Sequence, residues 1–415
     1  MHVLSNFRLE GRGLFGGRRR CGRLERTRTV KTLTVVVAGD SFKGSATSAE
    51  VADAVERGIR RVVPECEVRK LAIADGGEGT VDAVAPVCGA VVREVTVQGP
   101  LGEPVAARYV LLVSGTAVIE MAQAAGLTLV EQTEAHALAA STFGVGQLIA
   151  DALDQGVRRI YVGLGGSATS DGGMGMVRAL GARFLDREGA PVAEGLAGLE
   201  QLAAVDCSGL DPRLEDAEVV ALTDVSNPLT GPSGAVSVYG PQKGLPCERL
   251  VELDGWMSSY AHLLEKACGR SVEKAPGAGA AGGTGAALLA FCSARVERGI
   301  DTVLDLVGLD AALDGADLVI TGEGRMDEQS AYGKAPVGVA ARAKARGLPV
   351  VAVVGSRSEE LDAIYQAGID LVVPLPLGPM SLETCMGRAR ELLEHAGETA
   401  MRAFLLGGRP FFASA

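Results

Sequence analysis

The sequence has few aromatic side chains, no long apolar run and an excess of acidic residues. Phe, Trp and Tyr make up 4% of the chain, and Trp256 is its single tryptophan, so stacking on nucleic acid bases finds little support. The formal net charge of −11 argues against a surface for nucleic acid or for an anionic membrane. Because no stretch of about 18 apolar residues occurs, no membrane-spanning helix is predicted.

Cysteine spacing excludes a disulfide framework and a metal cluster. The eight cysteines are scattered along the chain without a C-x-x-C pair, which leaves free thiols as the simplest interpretation. Free thiols are typical of a reducing compartment, so we predict a cytoplasmic protein.

The motifs of several enzyme classes are also missing. The chain has no G-x-x-x-x-G-K-[ST] phosphate loop, no convincing dinucleotide-binding G-x-G-x-x-G and no G-x-S-x-G elbow with a partner histidine. Only four histidines occur, and we interpret His136 and His262 as surface residues. A P-loop kinase, a nicotinamide-dependent enzyme and a serine hydrolase are therefore poorly supported, whereas metal-dependent hydrolysis stays open.

Glycine, by contrast, is abundant, with 56 of the 415 residues against a usual share of about 7%. The clearest cluster lies between Tyr161 and Gly175, where a short apolar strand leads into a loop with Ser167 and Asp171 and then into a helix. Glycine lets N–H groups approach a ligand, and a helix N-terminus offers free donors, so this order suits phosphate. A tight turn that binds nothing is the alternative.

Alternating strands and helices predict an α/β fold. Five apolar residues before Gly39 indicate a buried parallel strand, and a helix is expected over Ser48 to Val63. Between Val91 and Val130 the pattern changes to strands and turns, which indicates a more mixed sheet. We therefore predict a discontinuous α/β domain with a second α/β domain inserted into it. The boundaries are 33–85 plus 285–405 for the first domain and 86–284 for the second.

Residues 1–32 differ from the rest of the chain because they carry eight arginines and only two acidic residues. They lack the apolar run of a secretory signal. We predict a basic, disordered N-terminal extension, with an organellar presequence as the alternative.

Acidic and basic side chains follow one predicted strand after another. They are Asp40, Lys43, Asp75, Glu78, Asp171, Asp224, Glu323 and Asp327. One or two carboxylates in loops would be ordinary turn residues, but strand C-termini are where open α/β sheets bind ligands. Phosphoryl transfer needs this set: N–H groups and cations for phosphate oxygens, carboxylates for Mg²⁺, and a group that positions or deprotonates the attacking hydroxyl.

A second glycine-rich stretch, Pro276 to Phe291, opens an apolar helix. Close helix packing through glycine and alanine explains this stretch as well as a phosphate cradle does. Both interpretations stay open at this point.

Eight motifs occur in a fixed order from Leu33 onward. They read AGDSFKGS, ADGGEGT, VQGPLGEPV, GLGGSATSDGGMGM, TDVSNPLTGPSGA, YGPQKG, PGAGAAGGTGAA and TGEGRMDEQSAYGK. Together they closely resemble the bacterial glycerate kinase family. The resemblance implies an ATP-dependent kinase that makes 2-phosphoglycerate from D-glycerate. It also implies a flavodoxin-like, doubly wound domain interrupted by a mixed-sheet α/β domain, with the active site in the cleft between them.

The resemblance further implies roles for individual residues. Catalytic roles are expected for Asp40, Lys43, Asp171 and Asp224, with Asp171 as the general base. Substrate binding is expected from Asp75, Gly76, Gly77, Glu78, Ser167 and Arg325, and nucleotide binding from Gly277, Gly279, Gly282, Gly283, Gly285 and Glu323. Mg²⁺, which offsets the charge of ATP in an acidic site, is expected on Asp171 and Asp327.

Three alternative functions stay open. The chain could phosphorylate a related small hydroxy or sugar acid, it could act on the 3-hydroxyl of glycerate, or it could be a non-catalytic metabolite sensor. The expected partners are glycerate and ATP, without nucleic acid or membrane, and a homodimer is a possible assembly.

Overall fold

The computed structural model describes residues 32–332 and 334–407, so the predicted N-terminal extension lies outside the described residues apart from Thr32. The strands are β1 (Thr34–Gly39), β2 (Glu67–Ala72), β3 (Val91–Gln98), β4 (Pro104–Leu112), β5 (Thr116–Glu120), β6 (Arg159–Gly163), β7 (Arg183–Leu185), β8 (Ala204–Asp206), β9 (Glu218–Leu222), β10 (Arg295–Glu297), β11 (Leu318–Met326), β12 (Val350–Arg357) and β13 (Leu371–Pro374). The helices are α1 (Ser48–Val62), α2 (Thr80–Val84), α3 (Ala122–Ala125), α4 (Glu134–Ala139), α5 (Phe143–Asp154), α6 (Met174–Ala179), α7 (Ala235–Lys243), α8 (Leu250–Cys268), α9 (Thr284–Phe291), α10 (Gly299–Leu306), α11 (Leu309–Leu313), α12 (Ala335–Lys344), α13 (Asp362–Gln366), α14 (Leu382–Gly387) and α15 (Ala389–Gly407).

Five parallel strands form the first sheet, in the order β13-β12-β11-β1-β2. Counted along the chain within this sheet, the strand order is 2-1-3-4-5, the flavodoxin-like doubly wound order. All six residues of β1 are buried, which confirms the strand predicted before Gly39. The direction of winding reverses between β1 and β11.

Alternate residues of β1 contact two different helical layers. Val35 and Val37 pack with α1 and α15 on one face of the sheet, whereas Val36 and Ala38 pack with α10 and α12 on the other. Successive side chains of a strand point to opposite faces, so a central parallel strand needs helices on both sides.

Helix α1 begins with a capping box. Thr47 Oγ1 accepts a hydrogen bond from the Glu50 N–H, and the Glu50 carboxylate accepts one from the Thr47 N–H. The helix runs over Ser48–Val62. The predicted helix is therefore confirmed to within one residue.

Six strands form the second sheet, in the order β10-β9-β6-β5-β4-β3. Strands β3, β4 and β5 pair antiparallel, whereas β5, β6, β9 and β10 pair parallel. The antiparallel part confirms the change of pattern predicted from Val91. Strands β7 and β8 form a separate antiparallel pair.

The described residues from Leu33 onward belong to one compact unit. The division into a discontinuous and an inserted domain stays a prediction. The second sheet and its helices enclose a large apolar core that includes Tyr109, Phe184 and Tyr260. None of the described helices is both long and apolar enough to span a membrane.

Candidate active site

The carboxyl ends of β1 and β11 border a cavity of about 530 Å³. This is the place where the winding of the first sheet reverses, and open α/β sheets bind ligands at such a reversal because the loops on either side leave a crevice. Of the predicted site residues, Asp40, Lys43, Asp75, Glu323 and Arg325 line this cavity. The structure therefore brings together predicted residues from three strand ends.

Asp40, directly after β1, is a partly buried carboxylate of the cavity lining. Its Oδ1 accepts a hydrogen bond of 2.6 Å from the Ser41 N–H. Burial, followed by the negative charge of Asp75, raises the pKa of Asp40 to about 7, although the Ser41 hydrogen bond and Lys43 oppose the rise. At neutral pH this carboxylate therefore exchanges protons readily.

Asp75 couples the first sheet to the second. Burial and the charge of Asp75 raise the pKa of Asp224, which follows β9, to about 7, while Arg298 at 3.8 Å lowers it. Asp75 thus disfavours ionisation of Asp40 on one side and of Asp224 on the other. Its Oδ1 also accepts a hydrogen bond of 3.0 Å from the Gly77 N–H, which shapes the loop after β2.

Two glycines in the loop after β2 allow close backbone contacts. A Cβ on Gly76 would lie 2.5 Å from the Gly299 Cα atom, at the start of α10. A Cβ on Gly77 would lie 3.1 Å from the Gly165 Cα atom, in the loop after β6. Glycine is needed at Gly76 because its φ of +88° is also in the left-handed region. These glycines therefore set the path of the loop that carries Asp75 and Glu78.

The cations of the site form long, exposed ion pairs. Lys43 Nζ lies 4.0 Å from Glu78, and Arg325 Nε lies 3.4 Å from Asp327. The side chains of Lys43 and Arg325 are 73% and 76% exposed. Because exposed ion pairs contribute little stability, both cations can exchange their carboxylate partners for an anionic ligand.

Glu323 has a buried carboxylate oxygen with no hydrogen-bond partner in the part of the chain that the structure describes. The residue is 7% exposed, and its Oε1 atom has no hydrogen-bond partner among the described residues. Its Oε2 atom accepts a hydrogen bond of 3.3 Å from Lys334 Nζ. Burial raises the pKa of Glu323. A buried carboxylate oxygen without a partner is unfavourable, so a bound cation or hydroxyl donor would stabilise it.

The described residues do not form a metal site made only of protein ligands. Within residues 32–332 and 334–407, no group of three Asp, Glu, His or Cys side chains is placed to hold a metal ion. Mg²⁺, however, is commonly held by one or two carboxylates together with substrate phosphates. Glu323 and Asp40 both line the cavity and could supply these one or two carboxylates. Among the described residues, the Oε1 atom of Glu323 has no other partner.

Asp171 lies away from the cavity, in the interior of the protein. It has no exposed surface. Its carboxylate accepts hydrogen bonds from the Thr142 N–H (2.9 Å), Thr142 Oγ1 (2.8 Å), the Gly173 N–H (3.0 Å) and the Gly175 N–H (3.0 Å). With both oxygens engaged, Asp171 holds the glycine-rich loop onto the start of α5. The geometry favours this structural role over the general-base and metal-binding roles predicted from sequence.

Ser167, predicted to bind substrate, contacts a buried lysine. Lys243 Nζ donates hydrogen bonds to Ser167 Oγ (3.0 Å) and to the Thr169 carbonyl oxygen (2.6 Å). Burial lowers the pKa of Lys243 to about 7, although the negative charge of Asp171 opposes the shift. The YGPQKG motif was visible in the sequence, but its lysine gave no sign that it would fold inward.

The glycines predicted to bind nucleotide are buried in backbone packing. A Cβ on Gly282 would lie 2.0 Å from the Thr169 carbonyl oxygen, and one on Gly279 would lie 2.2 Å from the Pro228 carbonyl oxygen. A Cβ on Gly285 would lie 2.1 Å from the Gly277 carbonyl oxygen, and one on Gly283 would lie 2.8 Å from the Gly172 Cα atom. None of the five predicted glycines lines the cavity. The structure favours the close-packing interpretation of this stretch.

Sequence reasoning missed a carboxylate beside the loop after β2 and several residues of the cavity lining. Glu120, at the end of β5, is buried and accepts hydrogen bonds from the N–H groups of Gly79 (3.1 Å) and Val81 (3.2 Å), and burial raises its pKa to about 7. In the sequence, the signal for Glu120 was a single carboxylate at the end of an apolar strand. Gly355 and Ser356, near the end of β12, also line the cavity, as do Leu382, Met386 and Ala389, whose apolar side chains gave no signal.

Comparison with known proteins agrees with the fold and the motifs. The sequence profile of the Glycerate kinase family matches residues 35–405. The chain is 47% identical over 363 residues to a glycerate kinase of Bacillus subtilis strain 168, which covers 87% of this chain and 95% of that protein. It is 43% identical over 372 residues to a glycerate 2-kinase of Escherichia coli K12, which covers 89% and 96%.

A solved structure extends the similarity to three dimensions. A crystal structure assigned as glycerate kinase 2 from Salmonella typhimurium LT2 superposes with a TM-score of 0.79 at 44% identity. The match covers 91% of this chain and 100% of the Salmonella chain. The chain therefore belongs to the glycerate kinase family, a family of kinase enzymes.

Proposed function

We propose that this protein transfers the γ-phosphoryl group of ATP to the 2-hydroxyl group of D-glycerate. The observation that carries the proposal is Asp40, whose carboxylate lines the cavity at the end of β1 with a pKa of about 7. A general base that works at neutral pH needs a pKa in this range. The name of the Escherichia coli relative, glycerate 2-kinase, supports the choice of the 2-hydroxyl.

In this proposal Asp40 takes the proton of the attacking hydroxyl. As the glycerate oxygen bonds to the γ-phosphorus, its proton passes to the Asp40 carboxylate, and the bond from the γ-phosphorus to the bridging oxygen breaks to release ADP. Asp40 takes over the role first predicted for Asp171, because Asp171 has no exposed surface and already accepts four hydrogen bonds. Asp75 holds the pKa of Asp40 up, and Asp224 stays a candidate for orienting the hydroxyl.

Lys43 and the loop after β2 are proposed to bind glycerate. Lys43 Nζ is 4.0 Å from Glu78, and a carboxylate of the substrate can take the place of Glu78 as its partner. Gly76 and Gly77 set the path of the loop against Gly299 and Gly165. Arg325 and Lys334 also line the cavity. They are proposed to bind the phosphoryl oxygens, over which negative charge is spread in the transition state.

Mg²⁺ is proposed to bind at Glu323 together with phosphate oxygens of ATP. The unpartnered, buried Oε1 atom of Glu323 is the donor that fits. When bound, the ion would neutralise charge on the phosphates. Asp327, predicted as a ligand, lies 3.4 Å from Arg325 and 3.9 Å from Lys334, and its role as a ligand stays a prediction. The homodimer and the cytoplasmic location stay predictions.

A coupled assay with purified protein, ATP, Mg²⁺ and D-glycerate tests the proposal. One coupling system should respond to 2-phosphoglycerate alone, and a second should require 3-phosphoglycerate. Signal through the first system supports the proposed reaction and its position, whereas signal through the second would move the phosphoryl group to the 3-hydroxyl. Folded protein that binds glycerate without releasing ADP would indicate a sensor instead.

A further inference from the structure

The cavity at the end of β1 has two chemically different walls. One part of the lining carries charged side chains, which are the cations Lys43, Arg325 and Lys334 and the carboxylates Asp40, Asp75 and Glu323. The other wall is apolar and is built mainly from α14 and the residues flanking it. Its members are Leu375, Leu382, Cys385, Met386 and Ala389.

The apolar wall leaves large hydrophobic side chains in contact with solvent. Leu382 is 76% exposed and Met386 is 36% exposed, although both border a cavity. Apolar surface of this kind beside convergent polar groups is typical of a ligand site, because a bound apolar group would remove it from water. A ligand with an apolar body at one end and an anionic group that reaches Lys43, Arg325 and Lys334 at the other matches this lining.

We infer that the apolar wall formed by Leu375, Leu382, Cys385, Met386 and Ala389 binds the adenine base of the donor nucleotide. The triphosphate then extends toward Arg325, Lys334 and Lys43 on the charged wall. The inference rests on the proposed function, which names ATP as the phosphoryl donor. It moves the nucleotide away from Gly277–Gly285, the stretch predicted from sequence.

Size and charge agree with this placement. A volume of about 530 Å³ lies within the range of about 300–1,000 Å³ found for small-molecule and cofactor sites. The cavity lies at the reversal of the doubly wound sheet, which is the place where such folds bind nucleotides. The guanidinium of Arg325 is 76% exposed and is therefore accessible to phosphate oxygens.

The glycine-rich stretch is a poorer site for the nucleotide. Gly277, Gly279, Gly282, Gly283 and Gly285 are all buried. The backbone of Thr169 and Pro228 already occupies the space that a Cβ atom would enter at Gly282 and Gly279. None of these glycines lines the cavity at the end of β1.

Cys385 offers a test in the unmodified protein, because this free thiol lines the apolar wall and is partly exposed. We would alkylate the protein with N-ethylmaleimide and follow each cysteine by peptide mass spectrometry, without ligand, with ATP, with ATP and Mg²⁺, and with D-glycerate. Saturating ATP should slow the labelling of Cys385 by about tenfold, as expected for a thiol shielded by a bound ligand. The exposed thiols of Cys88 and Cys247 are internal controls and should keep their rates.

Two leucine variants test the same wall through binding. Leu382→Glu places a charge where the base would lie, so the dissociation constant of ATP and the KM for ATP should rise by about tenfold or more, while the KM for D-glycerate changes little. Leu377→Glu is the matched control, since Leu377 is an exposed leucine (62%) that does not line the cavity. It should bind ATP like the unmodified protein.

The outcomes separate this inference from the proposed function. Protection of Cys385 by ATP, with weaker ATP binding in Leu382→Glu, supports the base site even if no phosphoglycerate forms, in which case only the proposed reaction fails. If glycerate is phosphorylated but ATP leaves Cys385 labelling unchanged, or if glycerate alone protects Cys385, the inference is overturned. Equal ATP affinities for Leu382→Glu and Leu377→Glu would overturn it as well.

Discussion

Lys243, the last residue of α7, donates hydrogen bonds through its Nζ atom to Ser167 Oγ at 3.0 Å and to the Thr169 carbonyl oxygen at 2.6 Å. Both acceptors lie in the loop that carries Asp171, and Lys243 is only 3% exposed. The lysine therefore ties α7 to the glycine-rich loop of the second sheet. Its partners and burial identify it as a positioning residue.

Replacing this lysine should loosen the loop. Lys243→Met removes both hydrogen bonds and leaves two buried acceptors without a donor, so the free energy of unfolding should fall by about 1–3 kcal/mol in urea titrations. Lys266→Met, at an exposed lysine near the end of α8, is the matched control and should leave the unfolding midpoint unchanged. Equal midpoints for the two variants would show that the Lys243 contacts do not hold the loop.

Asp40 and Asp171 should respond differently to the same substitution. Asp40→Asn keeps the shape of a side chain in an open cavity, so stability should change little while kcat falls by about 10²–10⁴-fold. Asp171→Asn replaces one acceptor oxygen by an NH₂ group among four donors, and the free energy of unfolding should fall by about 1–3 kcal/mol. Denaturation and steady-state kinetics of both variants distinguish the catalytic role of Asp40 from the structural role of Asp171. Full stability with lost turnover in Asp171→Asn would restore the general-base role first predicted for it.

The pH dependence of catalysis should report the Asp40 carboxylate. Its pKa is raised to about 7, and a general base acts in its deprotonated form, so kcat/KM should rise with pH through about 7 and level off above it. Asp75→Asn removes a negative neighbour that raises this pKa, so the rise should move to lower pH even though the maximal rate also drops.

The midpoint of the pH profile, rather than the rate, is the measurement for this prediction. Asp314→Asn, at a surface carboxylate that is 78% exposed, is the control and should keep the unmodified midpoint. An unchanged midpoint in Asp75→Asn would show that Asp75 does not set the pKa of the catalytic base.

The glycine-rich stretch before α9 should be sensitive to a single methyl group. Gly282 has a φ of +64°, and a Cβ atom there would lie 2.0 Å from the Thr169 carbonyl oxygen. Gly282→Ala should cost at least about 1–2 kcal/mol of stability from the left-handed conformation alone. Gly255→Ala, inside α8 with no atom within 4 Å of the added Cβ, should instead raise stability by about 1 kcal/mol. Thermal unfolding of both variants gives the comparison.

The parts of the fold with a strong local pattern could be predicted from sequence. The apolar run before Gly39 and the capping box at Thr47 are local signals, and the structure confirms both the strand and the helix that they predict. The carboxylates that meet at the cavity, Asp40, Asp75 and Glu323, could be predicted because parallel strands end at the same edge of a sheet.

The remaining features depend on contacts between residues that are distant in sequence. Asp171 follows a strand just as Asp40 does, but its loop turns inward and meets Thr142, so similar local sequences give a buried and a cavity-lining carboxylate. Glycine also serves two purposes, and sequence alone does not distinguish a glycine that admits a ligand from one, such as Gly282, that admits a neighbouring backbone. The apolar wall at Leu382 lacked any sequence signal because it contains no polar group.

The strand order of the first sheet has a consequence for biosynthesis. β1 pairs with β11, and Gly39 lies opposite Gly322. Because β11 is made late in translation, the middle of this sheet cannot form before then. All strands of the second sheet lie between Val91 and Glu297 and are available earlier. Chains fold from the N-terminus as they emerge, and pairing between distant segments is slow. We therefore expect one edge of the apolar strand β1 to stay unpaired during synthesis until β11 has been made.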